Sequence, residues 1–501
     1  MINTTPKCLK KANKKWILLA CMLAMFMAAI EVTIVATAMP TIIAELGGFD
    51  YLAWVFAIYL VVQAITVPIY GRLADLYGRK PVFYAGAMLF LAGSVMCGFS
   101  ASMLWLIVFR ALQGIGAGAI TPLATTIVAD VYNPEERAKT QGYLSSVWAI
   151  SAIIGPLMGA FIVEHYHWSG VFWVNVPLGV MSLLLIFVFL PSMEKSVKAP
   201  SLDTTGIVYL TLAISSLLVA LLQSSLLGLW LVPLVLFSLL NGWLLVRQEK
   251  RVASPLFPLA LWRSKIIVAG NVGGLIIGAA MMGIAAFLPT YLQAVMGAST
   301  LDAGWTLAVM SLGWPLASTL SGRIMLRTSY RFTAFTGALL LIAGCGMLLL
   351  LTPETSIGYA RLAAFIIGTG MGMSNTTFLV SVQNEAEFRH RGIATASTMF
   401  TRMLGQALGT AVLGATLNLN LHQRLPTVAD PIQRLIDRAS GQGDAGTTAA
   451  DMMGQVAESL QWVFGVALLI SIFALYSANL IPRHTFPQSG SISKTLDKRG
   501  Q

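Results

Sequence analysis

"GRLADLYGRKP", Gly71 to Pro81, crowds four charged residues, Arg72, Asp75, Arg79 and Lys80, into eleven positions between two long apolar runs. The rest of the chain makes that density unusual. Of 501 residues, 56% are hydrophobic and 11% charged, and the mean hydropathy is +0.76. A soluble protein of this length cannot cover such a composition with polar surface. The charged stretch therefore reads as a turn outside a lipid bilayer, between helices that cross it.

A helix needs roughly 20 apolar residues to span the hydrocarbon layer, because no water is there to satisfy the backbone. Fourteen runs qualify, near 16–38, 52–70, 82–100, 103–128, 143–163, 170–190, 205–223, 227–246, 266–288, 303–325, 332–351, 359–381, 396–418 and 461–481. The first resembles a signal peptide in its basic lead "KKANKKW" and in "ATA" at Ala36 to Ala38, but it is longer than a signal core and contains Glu31, so we read it as a retained helix. Positively charged loops stay in the cytoplasm. With the N-terminus inside, alternate loops and tails hold 27 of the 32 Lys and Arg residues. Of the other five, Arg110 and Arg361 lie inside spans and three lie in one long outer loop, 419–460. The expected location is the cytoplasmic (inner) membrane, with both termini cytoplasmic.

Shifting the chain by 251 places Gly71-Arg72 on Gly322-Arg323, Arg110 on Arg361, Asn133 on Asn384 and Glu136 on Glu387, in matching contexts. Duplicated halves of this kind mark transporters. The expected fold class is all-α: a polytopic membrane protein of two pseudo-symmetric six-helix bundles plus two extra central helices. The expected organisation is a cytoplasmic tail 1–15, a first bundle 16–190, a linker with the extra helices 191–246, a cytoplasmic loop 247–265, a second bundle 266–481 with outer loop 419–460, and a tail 482–501. "PSMEKSVKAPS", from Pro191, opens the linker.

Other chemistries find little support. Cys8, Cys21, Cys97 and Cys345 are scattered and form no CxxC pair, so neither a disulfide framework nor a metal site is indicated. The net charge of +11 is spread between apolar segments rather than gathered for nucleic acid. The five histidines, His165, His167, His390, His422 and His484, lie in loops or tails without a catalytic constellation, and no GxxxxGK[ST] loop occurs. No enzyme and no cofactor are expected.

"GRLADLYGRK" resembles the cytoplasmic loop signature of the major facilitator superfamily, and "RALQGIGAGA" from Arg110 its fourth-helix signature. "IIGPLMGA", Ile153 to Ala160, is similar to the fifth-helix motif of the drug:proton antiporter branch, and "AAIEVTIVATAMPTI" from Ala28 to the first-helix signature of its fourteen-span members. The chain departs from these patterns in Glu31, where relatives mostly carry Asp, and in Ser151 and Ala160, where Gly is common. The resemblance implies a monomeric multidrug efflux protein of the antibiotic-resistance kind, exchanging protons for small hydrophobic or cationic compounds. It also implies a cytoplasmic latch of Asp75, Arg79 and Asp130 that holds an outward-open state. Gly71 and Gly78 are expected to supply turn conformations that other residues resist. The alternative for this turn is a positive-inside anchor only. The second copy, "GRIMLRTSYR", lacks the Asp and the second Gly.

Gly155 and Gly159 make a small-xxx-small face and Pro156 removes a backbone donor; the glycines read as helix packing, while the resemblance implies a hinge or seal between the halves. Glu31 lies in mid-span, where an ionisable group is functional by default. Arg110, about seven residues into a helix entering from outside, falls at similar depth. Burial disfavours the charged form of an acid and a nearby cation favours it, so a Glu that alternates between such surroundings takes up and releases a proton. The other reading is a static Glu31–Arg110 pair. Arg402, near the inner end of its span, is expected to snorkel to the interface. Gln63, Gln113, Trp148, Asn271, Met281, Trp305 and Asn375 suit a loosely selective cavity. An exporter of one metabolite or toxin, a membrane sensor without transport, and a membrane-embedded enzyme are the alternative functions.

Overall fold

A computed structural model describes residues 13–47, 52–191, 203–222, 228–252, 255–257, 261–425, 431–432, 434–435 and 449–482. The tail to residue 12, the expected linker over 192–202 and the tail from 483 lie outside them. Seven long helices fill the first half of the chain: α1 Lys14–Leu46, α2 Leu52–Tyr77, α3 Arg79–Gly98, α4 Met103–Val131, α5 Pro134–His165, α6 Asn175–Phe189 and α7 Thr204–Leu222. Seven more follow: α8 Leu231–Glu249, α9 Lys265–Ala294, α10 Thr300–Arg327, α11 Tyr330–Leu349, α12 Ile357–Glu385, α13 Arg391–Arg424 and α14 Ala449–Leu480. The described residues contain no strand.

Among the described residues twelve helical segments are long and apolar enough to cross a membrane, α6 when counted with the short helix before it, as Gly170–Phe189; α10 and α13 are not among them. Both have the length, but α10 carries Asp302, Arg323 and Arg327, and α13 carries Arg391, Arg402 and Arg424 among small polar residues. Their partners explain the tolerance. α10 packs on α12 and on α5 of the other half, and α13 packs on α9 and on α2 of the other half, so protein replaces lipid along much of their surface.

The duplication is a fact of helix ends as well as of sequence. α3 and α11 start and finish 251 residues apart, and α1 and α9 start 251 apart. Packing repeats too: α1 lies on α5 and α6 as α9 lies on α13 and α14, and α4 receives α2 and α3 as α12 receives α10 and α11. The halves meet along two seams, α2 with α13 and α5 with α10. The extra pair, α7 and α8, is central in chain order but lateral in space: its members pack on each other, and α7 leans on α2 and α13.

Two boundary expectations are corrected. The outer loop expected at 419–460 is shorter, because α13 runs on to Arg424 and α14 begins at Ala449. Helices need not stop where lipid stops, and an Arg424–Glu458 ion pair ties the two extensions together. The charged turn at Gly71 to Pro81 is tighter than expected: helix persists to Tyr77, and Gly78 alone, at φ +93°, separates α2 from α3. Gly71 is helical. Its missing side chain instead admits the backbone of α13 at Gly392 and Ile393, so only Gly78 plays the conformational role.

Candidate functional site

Glu31 is completely buried in the first half. Its Oε1 accepts a hydrogen bond from Arg110 Nη1 at 2.5 Å, and its Oε2 accepts one from Asn175 Nδ2 at 2.5 Å. Arg110 also donates through Nη1 to Gln113 Oε1 at 2.8 Å and through Nε to the Val55 carbonyl at 3.3 Å. Its guanidinium carbon stands 4.2 Å from the centre of the Tyr59 ring, a cation–π contact. Gln113 and Asn175 both donate to Ser94 Oγ, at 3.1 and 2.9 Å, and the Ser94 hydroxyl in turn donates to the Phe172 carbonyl at 2.8 Å.

This network draws on α1, α2, α3, α4 and the start of α6, and it brings together Glu31, Arg110 and Gln113 of the residues expected from sequence. Gln113 is therefore a partner of Arg110 inside the bundle rather than a lining of an open cavity. Sequence reading missed Asn175, Ser94 and Tyr59. The available signal was slight: one amide in "WVNVPLG" and one hydroxyl in "LAGSVMCG". Chemically, the arrangement balances one carboxylate against one guanidinium and holds both carboxylate oxygens. Protonating Glu31 would leave the Arg110 charge uncompensated where burial makes that costly.

A second cluster lies on the face where α1 starts and α14 ends, here the terminal face. Asp75 pairs with Arg79 Nη1 at 2.6 Å and accepts the backbone N–H groups of Gly392 and Ile393 at 3.0 and 2.8 Å. Those amides belong to the first turn of α13, where helices lack internal acceptors. Arg79 donates through Nε to Asp130 at 3.1 Å and through Nη2 to the Phe388 carbonyl at 2.9 Å. Asp130 accepts in turn from Arg391 Nη1 at 2.6 Å. Arg137 hydrogen-bonds the side-chain carbonyl of Asn384; burial first, then repulsion from Arg391, bring its guanidinium down to about 10. The geometry thus unites Asp75, Arg79 and Asp130 and adds Arg391 and the start of α13 from the other half, which sequence did not single out.

Gly155 and Gly159 face α1, meeting Thr33 and Ile34, while Pro156 is exposed on the opposite side of α5. Their contacts join helices within one half.

Among the remaining expected residues, Gln63 is nearly buried on α2, whereas Trp148 on α5 and Trp305 on α10 are exposed. Asn271 accepts from Ser397 at 2.9 Å and donates to the Ile267 carbonyl at 2.8 Å. Met281 Sδ takes a contact from Gln406 Nε2 at 3.6 Å, and Asn375 Oδ1 accepts from Arg402 Nη1 at 3.3 Å. The last bond corrects the expectation for Arg402. α13 begins at Arg391, so Arg402 sits three turns inside it, about 16 Å at 1.5 Å per residue. It points inward to α12 instead of snorkelling. No group of three or more metal-ligating side chains occurs among the described residues.

The comparisons agree with this frame. Residues 21–410 match the family model described as Major Facilitator Superfamily. The chain is 33% identical over 463 residues to "Multidrug resistance protein 3" of Bacillus subtilis (strain 168), covering 90% of this chain and 87% of that one. It is 29% identical over 422 residues to "Multidrug efflux pump SdrM" of Staphylococcus aureus (strain N315), covering 82% and 93%. In fold it is similar to the human organic anion transporter MFSD10 (TETRAN), with a TM-score of 0.62, 15% identity, and coverage of 92% of this chain and 100% of that one.

Proposed function

Because this chain belongs to the major facilitator superfamily, we propose that it is a proton-coupled antiporter that exports hydrophobic compounds, driven by protons returning through Glu31. That it is a multi-pass membrane transporter and not an enzyme follows from the family. Multidrug efflux is supported by relatives named as multidrug resistance proteins and efflux pumps. We place it in the cytoplasmic membrane with the terminal face inside, as the distribution of Lys and Arg supports. Asp75, Arg79 and Asp130 then act as a cytoplasmic latch that closes the inner face while the outer one is open.

The observation that carries the coupling is the Glu31 site. It is the one acid at mid-depth among the described residues, and its two oxygens are held by groups from different helices, Arg110 on α4 and Asn175 on α6. Relative movement of those helices changes how well the charged form is compensated, which is how a proton is taken up and released. The expectation of a cationic cargo lacks a free acid here, since Glu31 already has its cation.

The test is transport by Glu31→Gln in proteoliposomes with an imposed pH gradient as sole energy source. The variant keeps the side chain's size but cannot titrate, so substrate binding should survive and gradient-driven export should be lost. A Glu31→Gln protein that still concentrates substrate under that gradient would overturn the coupling.

A further inference from the structure

The second half holds a charge at mid-span that has no ion pair among the described residues. Arg402 is half-buried on α13, its Nη1 reaches Asn375 at a long 3.3 Å, and its Nε is buried without any partner. Of five N–H donors in its planar fork, this single bond is the one the protein supplies. The contrast with Arg110, which is paired, stacked and doubly hydrogen-bonded, is internal to the molecule.

The position of Arg402 gives the incomplete site a meaning. One turn nearer the terminal face, Met399 on the same helix touches Thr125 Oγ1 of the other half at 4.0 Å, and Gln383 Nε2 reaches the Thr125 carbonyl at 3.5 Å. Beyond them come the ion pairs at Asp75 and Asp130, so the path to the terminal face is closed below Arg402. One turn the other way lies Gln406, whose amide rests on the soft sulfur of Met281. Arg402 therefore stands just above the closure, beside two amides and a thioether.

We propose that Arg402, with Asn375 and Gln406, binds an oxyanion on the substrate, a carboxylate or sulfonate carried by an otherwise hydrophobic molecule. A guanidinium fork matches such a group with two parallel bonds, and a charge-assisted pair out of bulk water is among the stronger polar contacts available. The ligand then supplies the counter-charge that Glu31 supplies to Arg110 in the first half. The proposal rests on the reading of this chain as an exporter, and it replaces cationic cargo with amphipathic acids.

Three fluorescent probes that share one dansyl ring system test it: dansylglycine, an anion; dansylamide, neutral; and N-(2-aminoethyl)dansylamide, a cation. Titrated against the full-length protein in lipid nanodiscs, dansylglycine should bind at least about tenfold more tightly than the cation. Arg402→Gln should weaken dansylglycine by about tenfold and dansylamide by less than about twofold, with Arg402→Lys between wild type and Gln. Unchanged dansylamide binding shows that the variants are folded. Failure of dansylglycine to bind, preference for the cation, or equal weakening of all three probes by Arg402→Gln overturns the proposal. The same probes in proteoliposomes separate it from the exporter reading: charge-selective binding without gradient-driven movement of any probe sinks the exporter and leaves the anion site standing.

Discussion

The two halves share a frame and differ in where they keep charge. In the first, Glu31 and Arg110 are drawn into the bundle and compensate each other in a network closed to solvent. Shifted by 251, Arg110 falls on Arg361 and Glu31 on Met282. Arg361 does find an acid, Asp302 at 2.7 Å, but near the start of α10 and α12, with both side chains more than a third exposed. The cation at mid-span in the second half is a different residue, Arg402, and among the described residues its side-chain partner is an amide, Asn375, not an acid. Helix packing is thus set by small residues and apolar faces common to both halves, while chemistry turns on a few polar side chains that are not duplicated.

The largest effect that can break this comparison is on stability. Arg110→Ala strands a buried carboxylate, and losing one member of a buried pair costs about 3–5 kcal/mol. Arg402→Ala removes a cation that the protein barely satisfies, so its cost should stay within about 1 kcal/mol. Thermal unfolding of both variants in the same detergent checks this. Equal losses would mean that Arg402 is as firmly paired as Arg110.

A smaller effect is expected at the charged turns. Asp75→Asn weakens charge-assisted bonds to Arg79 and to the first turn of α13, each worth about 1.5–3 kcal/mol. Expression should hold while the initial transport rate falls several-fold. Its counterpart by the 251 shift, Leu326, is exposed, and Leu326→Ala should transport at the wild-type rate. A normal rate for Asp75→Asn would reduce the whole turn to a topology signal.

The smallest effect belongs to Lys14, whose Nζ lies 2.7 Å from Glu136. The Lys14 hydrogen bond leads in holding the Glu136 carboxyl below its usual range. A depressed acid stabilises the fold above its unfolded value, near 4.5, and that contribution fades as pH falls through the depressed one. Because both groups are solvated, Lys14→Ala should cost less than about 1 kcal/mol at neutral pH, and the difference from wild type should shrink on acidification below pH 4.5. The corresponding Lys265 and Glu387 form no ion pair, so Lys265→Ala should show no such pH-dependent difference. Unfolding midpoints at three pH values decide it.

Much of the fold was legible because a membrane imposes one simple demand, an apolar length, and most helices meet it alone. α3 and α7 lie within a few residues of their expected spans. α10 and α13 were expected from their apolar runs at 303–325 and 396–418, yet they are the two long helices that do not meet it alone, and each packs on the other half of the chain. The Glu31–Arg110 pairing followed from counting depth along two helices. Asn175 escaped because one amide in an apolar run has no motif, and its role depends on which neighbour it meets. Arg402 was misjudged because depth was counted from an assumed membrane edge, whereas α13 starts earlier, at Arg391.

Asp75 gives the molecule a natural clock. Amide protons exchange with solvent only when their hydrogen bonds open, and the N–H groups of Gly392 and Ile393 have their acceptor on the other half of the chain. Deuterium uptake at these two positions therefore records separation of the halves at the terminal face, not fraying of α13. The proposed opening of the latch would thus be read from the exchange rate of two backbone protons, with no label attached.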